Sequence, residues 1–509
     1  MLTVHRAMNP TARTRTRTRT RTRTRTRTRA RRLAAVPVVL ATLALTQSAA
    51  VADPADNTVP SVLDTLTAHH LTVADGIERT TYSSESSEIV VRVAVIDPDL
   101  GAISLDSTVG AAASVKEPTT AMLATVGTAA KDAPYVGVNG GYSLSTKDED
   151  DTTGKSIPEE RSVPMVTSVQ EDVVQGAACL KGQNSVVLQH GRPHFTKLTT
   201  TLGISSDRNT ADTADDVTRV VDAVNRYPGW IPFCPQEAGD RSLPYTTDAN
   251  GDVQRLDQYG KVIKGGPYYQ DYSEIVVFTP AYGQKTPEPR HTPFVAADDA
   301  DGFEVAVDAS GRVTAVKSPR GGTDIPPGGM VLQGIGDDSS TDGGARWLRD
   351  HATVGAKLTY TQRATDLGVA EDPTDDVDLR LDPAYPSIDV VNGTYDLMRH
   401  GRVVAEPTDN TAHDPRTAIG ADGYGRTLLV SVTARDEGLR RGVPIYDLAK
   451  IMEDLGAVDA LNLDGGGSTT FVVDGQVKNV LSDAGGVERP VYDAVYAGRG
   501  GHGLPAAGN

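Results

Sequence analysis

The sequence is poor in aromatic residues and nearly free of cysteine, and each shortage narrows the class of protein. Aromatic residues make up 5% of the 509 residues, with two tryptophans and six phenylalanines, although 17 tyrosines are present. Surfaces that grip carbohydrate without cleaving it usually carry aromatic platforms, so this composition argues against a purely carbohydrate-binding module. The two cysteines, Cys179 and Cys234, lie in no CxxC or Cys/His pattern, which argues against a structural zinc site.

Long apolar runs are missing after residue 52, since no later segment approaches the 18 apolar residues of a membrane-spanning helix. Residues 1–52 contain 12 arginines and no acidic residue, and residues 13–29 alternate strictly between arginine and threonine. An apolar stretch follows and ends in Ala50-Val51-Ala52, the layout of a secretory signal with a small-residue cleavage site. We predict a signal peptide over 1–52 and a secreted mature protein; a basic nucleic-acid arm is the alternative interpretation.

The remaining chain is strongly acidic. Removing 12 of the 50 basic residues leaves 38 against 67 acidic ones, a formal charge of −29. Such a body repels nucleic acid and anionic membrane surfaces, so we expect neither as a partner once the signal is removed. In an exported chain an even cysteine count favours a disulfide between Cys179 and Cys234, with two buried thiols as the alternative.

The elements that can be recognised are mainly strands. Alternating or continuous apolar runs predict strands in "EIVVRVAVIDP" (residues 88–98) and "APYVGVNGGYSL" (133–144), and a strand–turn–strand unit in "FEVAVDASGRVTAVKS" (303–318). One helix is well marked: Pro444 opens it, apolar residues recur on one face, and Gly456 ends it. The pattern predicts an α+β fold, with twisted mixed or antiparallel sheets and a few packed helices.

We divide the chain accordingly. The prediction is a single large catalytic domain over residues 88–500, with an inserted elaboration over about 145–290 that carries the cysteines. An N-terminal extension over 53–87 precedes it, and a tail over 501–509 follows it.

A run of three glycines is the most unusual local feature. In "ALNLDGGGSTTFVVDGQ" an apolar strand ends in Asp464, and Gly465, Gly466, Gly467 and Ser468 follow. Glycines weaken a β unit, but they let backbone approach a ligand, and consecutive amides in such a turn can form an anion-binding nest. No Gly-Lys-Ser/Thr or Gly-x-Ser-x-Gly pattern is present here, which argues against a nucleotide loop or a nucleophile elbow. A tight hairpin without function is the alternative.

Three further stretches carry side chains suited to chemistry. In "VGVNGGYSL" a strand ends in Asn139, followed by Gly140 and Gly141. "HDPRTAIGAD" places Arg416 before a small apolar run, where a guanidinium suits bidentate recognition of phosphate or carboxylate. "GGVERPVYDAV" offers a carboxylate and a guanidinium before the last strand, and these are Glu488 and Arg489.

Taken in order, "VNGGY", "PRTAIG", "NLDGGGST" and "ERPVYDAV" resemble motifs of the phosphodiester glycosidase family. The helix-to-strand segment "IYDLAKIMEDLGAVDALNLDGGGS" resembles the family's signature almost residue for residue. Tyr142 is a mild departure, because the family often has phenylalanine there. The resemblance implies a secreted hydrolase that cleaves the sugar–phosphate glycosidic bond of a sugar phosphodiester or phosphate-containing glycan. It would release the free sugar, with N-acetylglucosamine as one candidate, and a phosphomonoester.

The resemblance also suggests roles for the candidate residues. We assign Asp464 to acid/base or nucleophilic work, with Glu488 as a second carboxylate. Arg416 and Arg489 would hold the phosphate, assisted by the amides of the three glycines and by Ser468. Asn139, with the backbone of Gly140 and Gly141, would hydrogen-bond sugar or phosphate.

We expect no cofactor, with calcium as the alternative, because "DANGD" (residues 248–252) and "DDADG" (298–302) faintly resemble calcium loops without completing the ligand pattern. His190 and His194 are separated by glycine and proline, which argues against a helical metal pair. The alternatives to the hydrolase are a non-catalytic protein that binds cell wall or exopolysaccharide, and a phosphodiesterase that cleaves the P–O bond.

Overall fold

The computed structural model describes residues 62–100, 103–130, 135–145, 162–180, 182–189, 191–208, 217–228, 273–288, 302–336, 343–367 and 388–498, with short stretches at 231–232, 241–242, 245–247, 253–256, 262–263 and 268–271. The described residues fall within one compact unit of the chain. Within them, no helix has the length and apolar character needed to cross a lipid bilayer.

Strands dominate the described structure. In chain order, the strands up to residue 278 are β1 (Thr67–Ala74), β2 (Ile77–Ser83), β3 (Ile89–Ile96), β4 (Ser104–Thr108), β5 (Val136–Asn139), β6 (Ser143–Ser145), β7 (Ser162–Pro164), β8 (Ser168–Gln170), β9 (Val173–Gly176), β10 (Gln183–Gln189), β11 (Arg192–Ser206), β12 (Val217–Val220), β13 (Ala223–Val224), β14 (Ile231–Pro232), β15 (Arg241–Ser242), β16 (Tyr245–Thr247), β17 (Val253–Leu256), β18 (Val262–Ile263), β19 (Tyr268–Gln270) and β20 (Ile275–Phe278).

The later strands are β21 (Phe303–Val307), β22 (Val313–Lys317), β23 (Met330–Gly334), β24 (Leu358–Asp366), β25 (Asp389–Asn392), β26 (Tyr395–Arg399), β27 (Arg402–Val403), β28 (Arg416–Asp422), β29 (Thr427–Ala434), β30 (Ala457–Asn462), β31 (Phe471–Val473), β32 (Gln476–Val477) and β33 (Ala494–Gly498). The α-helices are α1 (Thr119–Ala130), α2 (Gly344–His351) and α3 (Ile445–Asp454), and 3₁₀ turns occupy Leu63–Thr65, Pro280–Tyr282 and Gly466–Ser468.

Two sheets enclose the part of the core that positions the candidate site. The large sheet has the order β1-β2-β3-β29-β28-β30-β26-β27, and the facing sheet has the order β32-β31-β5-β33-β4. Side chains from both meet in one buried cluster, where Ile419 and Leu461 of the large sheet join Val138, Phe471 and Val495 of the facing sheet. Burying these apolar faces against each other drives the two sheets together.

Helix α3 covers the outer face of the large sheet. Its buried side chains, Leu448 and Met452 among them, join Val430 and Ala460 in a second cluster. The helix follows Pro444 and ends before Gly456, whose φ of 82° is the left-handed conformation that glycine adopts without a Cβ penalty. The predicted helix and its two boundary residues are therefore confirmed.

The rest of the described chain forms a seven-stranded sheet (β12-β11-β10-β25-β8-β9, with β24 on β11), a second five-stranded sheet (β13-β20-β23-β21-β22) and smaller ribbons. Most pairings are antiparallel, and β13 with β20 is a parallel pair. The fold is therefore mostly sheet with few helices, in line with the predicted α+β class.

Two predicted boundaries fall inside these sheets. Strands β1 and β2, from the stretch assigned to an N-terminal extension, pair with each other and with β3 in the large sheet. Strands of the predicted elaboration pair with later ones, as β10 does with β25 and β11 with β24. The elaboration therefore shares its sheets with residues 303–392.

Candidate active site

A cavity of about 630 Å³ opens where the chain leaves β30 of the large sheet for β31 of the facing sheet. Its wall combines cationic, carboxylate, aromatic and small polar side chains from widely separated segments. The lining residues are Lys116, Tyr142, Ser143, Met165, Thr394, Tyr395, Asn410, Asp414, Arg416, Arg440, Asn462, Asp464, Gly465, Gly466, Ser468, Arg489, Pro490 and Val491.

Asp464 lies in this wall, half-buried, two residues beyond the end of β30. Its main-chain N–H donates to Gly140 O at 3.0 Å, and its Oδ1 accepts from the Gly465 N–H at 2.8 Å. Burial raises the pKa of Asp464 above the usual carboxyl range, while hydrogen bonds from Ser468 and Gly465 oppose that rise in part. The carboxyl group is therefore held in place, and it releases its proton at a higher pH than an exposed aspartate.

The three glycines form the bend that carries Asp464 into the cavity. The Gly465 amide is used by Asp464, and the Gly466 amide donates to Pro415 O at 2.8 Å. The predicted anion nest of free amides is therefore wrong for these two positions. Gly467 does not line the cavity, and a Cβ on it would collide with Arg489 and its carboxylate partner Asp483, so its role is close packing.

Arg416 begins β28 beside this bend. Ala418 of β28 pairs with Asn462, the last residue of β30, and Arg416 and Asp464, each two residues from this pair, both line the cavity. Its Nε donates to Val443 O at 2.9 Å and its Nη2 to Ala412 O at 2.8 Å. Only 5% of Arg416 is exposed, and burial lowers its pKa.

The cavity carries an excess of positive charge in a chain whose net charge is −17. Four cationic side chains line it against two carboxylates, Asp414 and Asp464. Arg440 is paired with Asp414 at 3.0 Å, and Arg489 binds Asp483 bidentately at 2.6 and 2.7 Å. Within the described residues, the hydrogen bonds of Arg416 all go to uncharged oxygens, in contrast to the carboxylate partners of Arg440 and Arg489.

Asn139 does not reach the cavity, which contradicts the predicted contact with sugar or phosphate. It is fully buried, and its Nδ2 donates to Asp464 O at 2.8 Å. Its Oδ1 accepts from the Thr417 hydroxyl at 2.7 Å and from the Thr470 N–H at 3.1 Å. Asn139 therefore ties β5 to β28, to the segment before β31 and to the backbone of Asp464.

Gly140 and Gly141 lie behind the cavity wall rather than in it. The Gly140 N–H donates to Asp493 O at 2.7 Å, and the Gly141 N–H donates to Asp493 Oδ1 at 2.7 Å. A Cβ on Gly140 would collide with Asp493, and one on Gly141 would collide with Asn392. Gly140 and Gly141 therefore allow close packing behind Asp464. Neither glycine lines the cavity, which contradicts the predicted contact of their backbone with substrate.

Glu488 is also held away from the cavity. Its two oxygens accept from the Thr120 N–H at 2.8 Å and from the Thr120 hydroxyl at 2.7 Å. A carboxylate in this position caps the N-terminus of α1 and complements the helix dipole. The predicted role as a second catalytic carboxylate is therefore replaced by a structural one.

The sequence analysis missed several residues that shape the site. Asp493 is 1% exposed beneath Gly140 and Gly141, and burial raises its pKa to about 7. Tyr142, 42% exposed, and Tyr395 bring two aromatic rings to the wall, and Asn462 brings an amide. Asp493 lies in the quoted motif "ERPVYDAV" and Asn462 in "NLDGGGST". Only the folded chain shows that Asn462 lines the cavity and that Asp493 lies behind its wall.

The structure tests little of the metal and disulfide predictions. Residues 248–252, most of 298–302 and His190 lie outside the described residues, and within the described ones no group of three or more His, Cys, Asp or Glu side chains is arranged to hold a metal ion. Cys179 is buried, and Cys234 lies outside the described residues, so their bridge stays a prediction.

Solved structures share the fold. A protein from Burkholderia pseudomallei K96243 superposes with a TM-score of 0.59 at 24% identity, covering 80% of this chain and 74% of that one. A hypothetical protein from Synechocystis superposes with a TM-score of 0.53 at 17% identity, covering 85% and 64%. At these identities the likeness concerns the fold alone.

Sequence comparison identifies the family of the C-terminal part. The N-acetylglucosamine-1-phosphodiester alpha-N-acetylglucosaminidases of Mus musculus and Homo sapiens are each 30% identical over 119 residues, which is 20% of this chain and 23% of theirs. The match therefore spans less than a quarter of these relatives. The family model described as phosphodiester glycosidase matches residues 301–497, which contain Arg416, Asp464 and Arg489. The resemblance seen in the motifs is confirmed for this part of the chain: residues 301–497 match the model of the phosphodiester glycosidase family.

Proposed function

We propose that this chain is a secreted hydrolase that cleaves the C1–O bond between a sugar and the phosphate of a phosphodiester. A water molecule adds its oxygen to C1, the C1–O bond breaks, and the leaving oxygen stays with a phosphomonoester. The family domain supports the reaction class, and the curated relatives named above act, by their names, on N-acetylglucosamine-1-phosphodiesters. N-acetylglucosamine is therefore the first sugar to test.

One observation carries the proposal: Asp464, two residues beyond the end of β30, and Arg416, the first residue of the neighbouring β28, both line the same cavity. A buried guanidinium binds a phosphodiester anion strongly because little solvent screens the interaction. A carboxylate beside it can stabilise the oxocarbenium-like sugar, activate water or attack C1. These are the two charges that the reaction needs at adjacent positions.

A phosphate leaving group reduces the need for a general acid that protonates the leaving oxygen. A phosphodiester already carries a negative charge, and the departing phosphate is stabilised by Arg416 and by the surrounding positive charge of Arg440, Arg489 and Lys116. Protonation of the leaving oxygen is then of minor importance, so one carboxylate suffices. We propose that Asp464 works in its ionised form, as the base or as the nucleophile.

The experiment that tests these roles uses two substitutions and two matched controls. Asp464→Asn and Arg416→Ala should each lower kcat/KM by about 100-fold or more, the size expected for acid/base and charge-clamp groups. Asp474→Asn and Arg402→Ala, which change exposed residues outside the cavity, should leave activity unchanged. Near-full turnover by a folded Asp464→Asn or Arg416→Ala protein would refute the assigned role.

The products decide between the proposed activity and its two alternatives. A panel of sugar phosphodiesters incubated with the protein should yield free sugar and a phosphomonoester. Release of a sugar phosphate would instead indicate a phosphodiesterase that cleaves the P–O bond. Saturable binding without any product would indicate a non-catalytic glycan-binding protein.

A further inference from the structure

The end of β30 and the residues just beyond it present two side chains to the cavity. Asn462, the last residue of β30, and Asp464 both line the cavity, whereas Leu463 between them packs into the core between the sheets. Antiparallel neighbours flank this segment on both sides. Tyr395 of β26 lies opposite Asn462, and Arg416, the first residue of β28, lines the cavity on the other side. The cavity therefore has a cationic side at β28 and an uncharged side at β26.

The uncharged side contains an oriented hydrogen-bonding pair. Asn462 Nδ2 donates to Leu463 O at 2.7 Å and to the Thr394 hydroxyl oxygen at 2.8 Å. A carbonyl oxygen only accepts, so the contact with Leu463 identifies Nδ2 as the nitrogen and fixes the orientation of the amide. The oxygen Oδ1 is left without a hydrogen-bond partner, although Asn462 is only 3% exposed.

This pair matches a neutral sugar better than an anion. Asn462 Oδ1 is an acceptor, and a buried acceptor without a donor costs free energy that a ligand O–H or N–H would recover. Thr394 receives the Asn462 hydrogen bond on its oxygen, which leaves its own O–H to donate. An acceptor beside a donor suits adjacent hydroxyl or acetamido groups. Tyr142 and Tyr395 also line the cavity.

We infer that the cavity holds its substrate in one direction, with the phosphate against Arg416 of β28 and an uncharged sugar against Asn462, Thr394 and Tyr395 at β26. The reacting C1 then lies between them, at Asp464. The inference rests on the proposed function, and it names three residues that select the sugar. Asn462 and Thr394 are specificity-determining residues in this arrangement.

The test measures the two halves of the substrate separately. The probes are N-acetylglucosamine and inorganic phosphate, used as inhibitors of sugar release and, by titration calorimetry, as ligands. Thr394→Val should weaken the sugar about tenfold, the loss expected for one or two hydrogen bonds, and leave phosphate within twofold. Asn462→Ala should behave alike, whereas Arg416→Lys should weaken phosphate about tenfold and leave the sugar unchanged.

Two controls separate recognition from misfolding. Thr394→Ser keeps the hydroxyl and should restore sugar binding, and Thr408→Val, an exposed site outside the cavity, should change neither ligand. The inference would be overturned if Thr394→Val weakened phosphate and Arg416→Lys weakened the sugar, if each variant weakened both ligands equally, or if the protein bound neither ligand. If the protein releases sugar but the variants weaken sugar and phosphate binding alike, the proposed function stands and this orientation is refuted. If the variants weaken the two ligands separately as expected but the protein hydrolyses no phosphodiester, the orientation is supported and the hydrolase is refuted.

Discussion

At the scale of single residues, Gly467 shows how closely the site is packed. The paired side chains of Arg489 and Asp483 lie where a Cβ of residue 467 would be. Gly467→Ala should therefore displace the ends of these two partly exposed side chains and cost about 1 kcal/mol, the low end of the usual range for overpacking. The matched control is Gly423→Ala, whose new methyl would meet Val458 Cγ2 at an ordinary 3.8 Å.

Urea denaturation and kcat/KM are the measurements for this pair of variants. We expect Gly467→Ala to lower both stability and activity, because Arg489 lines the cavity, and we expect Gly423→Ala to match the wild type. Equal behaviour of the two alanine variants would contradict the packing role of Gly467.

The pH dependence of activity also belongs to a single residue. Burial raises the pKa of Asp464 above its ordinary 3.8. If the ionised form is active, kcat/KM should fall as the pH drops through that raised pKa, so the acid limb should lie above pH 3.8. A profile of kcat/KM between pH 3 and 8 measures it. Activity that instead rises towards acid would mean that the protonated carboxyl group is the working form.

Asp464 and Arg416 were chosen from motifs next to strand ends, and both line the cavity. Asn139 and Glu488 were chosen from similar motifs, and neither lines it. The difference is tertiary: Asn139 joins three segments behind the wall, and Glu488 caps α1, a helix more than 300 residues earlier in the chain. A motif shows that a residue is constrained, whereas partners distant in sequence decide whether the constraint is chemical or structural.

At the scale of elements, local sequence patterns predicted single helices, strands and turns, but they did not predict which strands pair. The apolar spacing of α3, the apolar run of β3 and the turn between β21 and β22 follow from neighbouring residues, and the structure contains all three. The insertion of β5 between β31 and β33 depends on contacts across the whole chain. Strand order of that kind leaves no local trace in the sequence.

Asn139 makes a testable prediction at this scale, because it joins several elements. Replacing it with leucine would keep the volume but remove the partners of the Thr417 hydroxyl, the Thr470 N–H and the Asp464 carbonyl. Each buried polar group left unpaired costs about 1–3 kcal/mol. Asn139→Leu should therefore lose at least ~3 kcal/mol in urea denaturation and reduce activity. A loss below ~1 kcal/mol would show that the elements hold together without it.

At the scale of the whole molecule, buried carboxyl groups link folding to pH. Asp389 of β25 accepts from the Ser107 N–H of β4 at 2.7 Å and joins the seven-stranded sheet to the facing sheet. Burial, with the charge of Asp106, raises its pKa to about 7, and burial raises that of Asp493 to about 7. Between about pH 4 and 7 the folded state keeps protons that the unfolded chain has released, so each group makes folding less favourable as the pH rises.

Stability should therefore fall between about pH 4 and pH 7, with each group contributing on the order of 1.4 kcal/mol per pH unit within this window. Urea midpoints across this range measure the effect. The double variant Asp389→Asn/Asp493→Asn should give a flatter profile than the wild type, whereas Asp474→Asn, at an exposed turn, should not. Parallel profiles for the wild type and the double variant would contradict the assignment.

The central place of β5 in the facing sheet has a consequence for synthesis. Its partners β31 and β33 are translated long after it, the second of them roughly 350 residues later, and non-local pairings of this kind form slowly. While the ribosome makes the intervening chain, the backbone N–H and C=O groups on both edges of β5 lack their strand partners. The facing sheet would then be completed only when β33 emerges, so a nascent chain halted before that point would carry the arginine and aspartate motifs without a completed sheet behind them.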